Sequence, residues 1–191
     1  MLRDHNPEGA KTVNFLYDDN GRMIRATLKS NQVTTREDYT YGNGNKPLSA
    51  VWTGQADESG TAMVQYTYTK NTCVEAVVPE EGKAYSNVYT FDDKGNLVSE
   101  EVFIGLDWMY TKGIYGDFDD KHSAQSHQPW HWKWNKINNN RSYFLSGKDI
   151  TMSHAIEYTY NDAGYPIKAD VYEKQSGGLV ESRTFIYKKT K

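Results

Sequence analysis

Along most of this chain apolar and polar side chains alternate with a period of two, the pattern of strands that lay one face against a core. One recurring phrase punctuates the alternation: an aromatic, a spacer, an aromatic, two acidic or amide residues, a free position, then Gly. It reads Phe15-Leu16-Tyr17-Asp18-Asp19-Asn20-Gly21, then Tyr89-Thr90-Phe91-Asp92-Asp93-Lys94-Gly95, then Tyr158-Thr159-Tyr160-Asn161-Asp162-Ala163-Gly164. Tyr39-Thr40-Tyr41-Gly42-Asn43-Gly44 is a shortened copy, and Tyr66-Thr67-Tyr68-Thr69-Lys70-Asn71 a degenerate one. The aromatics at i and i+2 point to one side of a strand. Asp or Asn then opens a turn through side-chain hydrogen bonds to nearby amides, and Gly supplies the positive φ that rejoins the next strand through a bulge. Fresh apolar positions follow each Gly: Met23-Ile24, Leu97-Val98, and Ile167 with Val171.

Each phrase is therefore the corner of a β-hairpin. Gly21 and Gly44 stand about 23 residues apart, and Gly95 and Gly164 about three such periods apart, which suits two strands and two turns per repeat. Turns of the opposite end are expected at Lys29 to Gln32, Gly54 to Gly60, Pro79 to Gly82 and Gln175 to Gly178. Strands are expected near 12–17, 22–29, 34–41, 47–53, 62–69, 73–78, 85–91, 97–104, 153–160, 166–174 and 179–188, with one or two more inside 108–150. No long stretch carries a clean helical period. The pattern predicts an all-β, antiparallel up-and-down meander of about 12 strands, closed or nearly closed into a barrel, with little helix. It forms a single domain over 1–191 with an irregular insertion at about 105–153.

Composition adjusts this picture in three places. The chain is 37% hydrophobic with 15 Tyr, and a core rich in Tyr keeps hydroxyls near a wet edge, which suits a thin sheet. A lipid-facing membrane barrel is disfavoured by a mean hydropathy of −0.82 and by charges on both alternating sets, as at Arg25, Glu100, Glu101, Asp170 and Glu173. The net charge of −3 argues against general nucleic-acid binding, which needs a basic face. One cysteine, Cys73, excludes an internal disulfide and reads as a small buried apolar residue in a strand. Met1 to Pro7 lacks the apolar core of a signal peptide, so the chain is either cytoplasmic or begins after a removed signal.

The corners resemble, at a distance, the tyrosine–aspartate repeats of Rhs-type shell proteins, through Tyr17-Asp18 to Gly21 and Phe91-Asp92 to Gly95. Across most of its length the chain is similar to a Bacteroidetes secreted or lipid-anchored domain of unknown function with a porin-like fold. That likeness is carried by Tyr158 to Pro166, by Phe118-Asp119-Asp120-Lys121 and by Asn138-Asn139-Asn140. The resemblance implies a barrel-like meander, export behind a cleaved lipoprotein signal to the periplasm or cell surface, and no established activity.

Candidate chemistry falls between Gly105 and Ser153, where the repeat fades. Trp130-His131-Trp132-Lys133-Trp134 would put three indoles on one face if it were a strand, an aromatic platform for a glycan or other flat ligand; the alternative is a closing flap with the indoles buried. Trp130, Trp132, Trp134 and His131 are the candidate ligand-binding residues. His127 and His131 have the i, i+4 spacing of a zinc pair, but Pro129 between them disturbs the helix such a pair needs. The Asp-Asp-x-Gly corners are too short for a calcium loop and already have a turn role. With no nucleophile elbow, phosphate loop or dinucleotide fingerprint, no catalytic residue, metal or cofactor is assigned. The reading is a non-enzymatic envelope binding or scaffold module whose partner is a small molecule, a glycan or an envelope protein. The alternatives are a hydrolase with a site in 105–154, built on groups such as Asp119, Asp120, His127 and His131, and an interaction module pairing through a sheet edge.

Overall fold

The computed structural model describes residues 11–30, 33–54, 60–105, 108–126, 128–134 and 136–187. Its elements are β1 (Lys11–Tyr17), β2 (Met23–Ser30), β3 (Val33–Tyr41), β4 (Pro47–Thr53), β5 (Thr61–Tyr68), β6 (Thr72–Pro79) and β7 (Tyr85–Phe91). They continue as β8 (Leu97–Ile104), β9 (Trp108–His122), β10 (Asn138–Gly147), β11 (Thr151–Tyr160), β12 (Pro166–Glu173) and β13 (Leu179–Thr184). The thirteen strands form one sheet in sequence order, with no crossover, and the described residues contain no helix. Where one or two further strands were expected inside 108–150 there are two, β9 and β10, which brings the count to thirteen. Among the described residues no ladder joins β13 to β1. The expected turns at 31–32 and 55–59, together with Met1 to Ala10 and the basic tail from Lys188, lie outside the described residues.

The repeated phrase builds the same corner three times. Asp18 donates its amide to the Arg22 carbonyl at 2.9 Å, and Gly21 donates to the Asp18 carbonyl at 2.9 Å. The Asp18 Oδ1 atom accepts the amides of Asn20 and Arg22 at 3.0 and 2.9 Å. At the second corner Asp92 Oδ1 accepts Lys94 and Asn96 at 2.9 and 2.8 Å, and at the third Asn161 Oδ1 accepts Ala163 and Tyr165 at 3.1 and 3.0 Å. Gly21, Gly95 and Gly164 take φ values of 74°, 87° and 78°, a conformation that costs other residues energy.

A bulge follows the first and third corners and the shortened copy at Tyr41. Leu16 faces Arg25 but Tyr17 faces Met23, so Ile24 is the extra residue on β2. Leu48 and Ile167 are passed over in the same way beside Tyr41 and Tyr160, and they stand exposed at 56% and 39%. The bulge re-aims the strand so that the phrase's aromatics keep one face.

Contacts group the chain into two compact units. The first comprises 1–67, 75–86 and 186–191, and buries Met23, Ala26, Tyr39, Ala50, Ala62, Val64, Tyr66 and Val77. Small Ala residues on its strands make room for Tyr39 and Tyr66, whose ring centroids lie 6.4 Å apart. Burial, then the neighbouring Glu75 carboxylate, pushes the Tyr66 hydroxyl far above its ordinary pKa. On the other face Asp38 bridges Arg25 on β2 and Arg36 on its own strand. The second unit comprises 68–74 and 87–185 and buries Cys73, Tyr89, Asn96, Leu97, Trp130, Trp132, Ala169 and Val171.

The two acids of a corner are not equivalent. Asp92→Ala removes an acceptor for two amides and for the Asn96 side chain at 3.1 Å. It is expected to lower unfolding free energy by about 1–2 kcal/mol. Asp19→Ala, at an exposed position of the first corner, is expected to change it by less than about 0.5 kcal/mol. Urea denaturation of the two variants checks this; equal losses would contradict the assigned role.

Candidate functional site

The faces of β9 to β13 follow from their register. Tyr115 on β9 lies opposite Tyr143 on β10, Tyr143 opposite His154 on β11, and His154 opposite Glu173 on β12. Parallel rows run Ile156, Val171, Glu181 and Tyr158, Ala169, Arg183. Residues separated by two along a strand share a face, so these rows make one surface. It is apolar through Met152, Ile156 and Val171, with Tyr hydroxyls and charged groups set into it.

The described residues between 123 and 137 (123–126, 128–134 and 136–137) form the roof. Its ends meet where the Ser123 amide donates to the Ile137 carbonyl at 3.0 Å, as in a compact Ω-loop. Two repeat corners clasp the neck. Asn96, at the corner of Asp92, accepts the Asn138 amide on Oδ1 at 2.8 Å, and Ile137 lies against Gly95. His122 donates its amide to the Gly164 carbonyl at 3.2 Å and stacks on Tyr165 at 4.8 Å between centroids. Below the neck, Asp119 accepts the Lys121 and Asn139 amides at 3.0 and 3.1 Å and the Tyr160 hydroxyl.

Floor and roof line a half-open cavity of about 360 Å³. The roof contributes Ser123, Ala124, Gln125 and Lys136; β10 to β13 contribute Asn139, Asn140, Tyr143, His154, Tyr158 and Arg183 among others. Gly113 faces this wall. A Cβ there would lie 3.7 Å from the hydroxyls of both Tyr115 and Tyr143, whose ring centroids are 5.1 Å apart.

Lys136 holds its ammonium 3.9 Å from the centre of the Tyr115 ring, a cation–π contact. Among the described residues no carboxylate stands within ion-pair distance of it. The pocket walls crowd the ammonium, and burial pulls its pKa down to about 8 against partial support from Glu100. Tyr115 donates to Glu100 at 3.2 Å, and burial followed by that carboxylate raises its pKa. Tyr158 donates to the Asn140 carbonyl at 3.3 Å and is pushed up to about 12, mainly by burial. Arg183 pairs through two nitrogens with Glu181, at 2.8 and 2.6 Å, which holds the Glu181 carboxyl below its usual range.

The structure distributes the sequence-predicted site residues differently from a platform. Residues 131–134 are turns, not strand, and the Lys133 and Trp134 amides both donate to the Trp130 carbonyl at 3.0 and 2.8 Å. Trp130 and Trp132 are buried at 7% and 1% exposure, and Trp134 remains 37% exposed. Trp130 and Trp134 meet edge-on at 5.2 Å, whereas Trp132 contacts His131 at 5.1 Å. His131 is exposed, with Nδ1 3.1 Å from the Pro129 carbonyl, and none of the four lines the cavity. His127 lies outside the described residues. Asp119 is bound into the neck, and Asp120 is exposed beside Lys121, so the groups named for hydrolysis do not converge among the described residues. Lys136, Tyr143, His154 and Arg183 were not legible as a group, because four separate segments bring them together. The signal that pointed toward them was the alternation itself: Tyr158 opens the third phrase, and its face continues to Ile156 and His154.

The displaced lysine pKa gives a testable pH effect. Between about 8 and 10.5 the unfolded chain binds the Lys136 proton more tightly than the folded one, so stability rises with pH across that window. Below pH 8 the burial cost is felt in full. Lys136→Met is therefore expected to be more stable than wild type at pH 7 by on the order of 1–2 kcal/mol, the gap closing as pH approaches 10. Paired denaturation curves at pH 7 and 10 check this; a variant equally destabilised at both would contradict it.

No protein-family model matches the chain, and no curated protein matches it in sequence. Among solved structures, a porin-like protein from Bacteroides vulgatus overlays with a TM-score of 0.64 at 14% identity, covering 98% of this chain and 97% of that one. A porin-like protein from Bacteroides uniformis overlays at 0.43 with 10% identity, covering 96% and 92%, and at that score adds nothing to the first. The chain has the fold of the Bacteroides vulgatus porin-like protein.

Proposed function

We propose that this protein is a non-enzymatic module of the bacterial cell envelope that holds a small amphipathic molecule in the cavity between the β9–β13 face and the 123–137 roof. The observation that carries the reading is the cavity. It is concave, mixed apolar and polar in its lining, and roofed by the longest irregular segment of the described chain. Its polar groups include tyrosine hydroxyls, amides, His154, Lys136 and the Arg183–Glu181 pair, groups that orient a ligand. Support for the envelope setting comes from the porin-like fold of the Bacteroides vulgatus protein and from the sequence likeness to secreted or lipid-anchored Bacteroidetes domains. On this reading the natural precursor carries an export signal, and the protein works in the periplasm or at the cell surface.

A glycan platform built on Trp130, Trp132 and Trp134 is the competing ligand reading. Trp134 is the member of that set with a large exposed surface, so it is the residue on which the platform rests. A neutral environment-sensitive naphthalene dye, Prodan, separates the two. Saturable dye binding is expected for wild type and for Trp134→Ala, and loss of binding for Ile156→Trp, which fills the cavity. Unsaturable dye binding by wild type, or unchanged binding by a folded Ile156→Trp, would overturn the cavity reading.

A further inference from the structure

The cavity's charges are unequally satisfied. Arg183 and Glu181 neutralise one another through a two-point pair. Glu100 is not among the cavity-lining residues; by register it lies on the same face as Tyr115, accepts the Tyr115 hydroxyl at 3.2 Å, and supports the Lys136 ammonium only in part. Lys136 lines the cavity and has the Tyr115 ring face as its partner, with no carboxylate in ion-pair reach among the described residues. The Tyr143 hydroxyl, above Gly113 beside the same ring, donates to no described protein acceptor. Two donors thus flank one aromatic ring at one end of the space, and Met152, Ile156, Val171, Val180 and Phe185 supply apolar surface to the rest.

We infer that the ligand is a small amphipathic monocarboxylate, its carboxylate taken by the Lys136 ammonium and the Tyr143 hydroxyl and its apolar body lying against Ile156, Val171 and Phe185. An ammonium crowded by pocket walls is costly without a counter-charge, and a carboxylate is the group that supplies the charge and accepts both donors. A neutral glycan would leave the lysine as it stands and would waste the apolar wall. The volume limits the ligand: about 360 Å³ corresponds to roughly a dozen waters at ~30 Å³ each, the scale of a medium-chain fatty acid or an arylalkanoic acid rather than a long lipid.

This inference rests on the cavity being the binding site, and the test separates the two. Octanoate and 1-octanol share a tail and differ in the head. Isothermal titration at pH 7 is expected to show octanoate binding at least tenfold more tightly than octanol. Lys136→Gln should bring that ratio to within about twofold, and Lys136→Arg should restore a preference for octanoate. Equal binding of the two by wild type would keep the cavity and overturn the carboxylate. A preference that survives intact in folded Lys136→Gln would also overturn it, and binding of neither would overturn cavity and carboxylate together.

Discussion

The arrangement depends on a five-residue corner in which one side-chain oxygen accepts two backbone amides while a glycine takes the left-handed conformation. An isolated hairpin turn of this length has many conformers. The Oδ1 atom of Asp18, Asp92 or Asn161 selects one of them, because only one geometry brings the amides two and four residues on to the same acceptor. With the corner fixed, the bulge beside it is fixed, and with the bulge the face on which each aromatic lies. In a sheet a shift of one residue turns every side chain to the opposite face, so a small local device decides what faces the core over a whole strand. Oδ1 oxygens held at 2.8–3.1 Å by amides are committed to the turn.

The same corners have a second use. The described residues of the roof lie outside the strand ladders, and its neck is gripped by the corners at Asp92 and Asn161 through Asn96, Gly95 and Gly164. Asp119 secures the neck from below by accepting the Lys121 and Asn139 amides and the Tyr160 hydroxyl. A regular sheet thus supplies rigid anchor points for one irregular segment, and the cavity forms where that segment crosses a face of Tyr, His and aliphatic residues. Lys136, the last side chain of the roof before Ile137, meets the Tyr115 ring because the neck closes beside it.

The fold was largely legible because it is written in local chemistry. Eleven strands read from alternation and turn residues match observed strands to within a few residues, apart from the last, which ends at Thr184 instead of 188. The two strands that were placed only loosely, β9 and β10, lack the corner phrase; between them the chain runs through the roof. The site was less legible. Tryptophans drew attention to 130–134, but an indole is as well suited to filling a roof as to stacking on a ligand, and at Trp130 and Trp132 burial took precedence. The cavity residues are scattered over five strands and one loop, unremarkable one by one. Their meeting is decided by register, Tyr115 to Tyr143 to His154, which a linear motif does not encode.

The central claim is that the β9–β10–β11 register places Tyr115, Tyr143 and His154 side by side in the wall of a ligand cavity. Aromatic cross-strand NOEs measured by NMR, recorded with and without octanoate, test it most directly. The account predicts ring-to-ring NOEs from Tyr115 to Tyr143 and from Tyr143 to His154, with octanoate shifting the Tyr143 ring and the Ile156 methyl resonances while those of Trp134 stay in place. Absence of those NOEs, or shifts confined to Trp134 and His131, would contradict it.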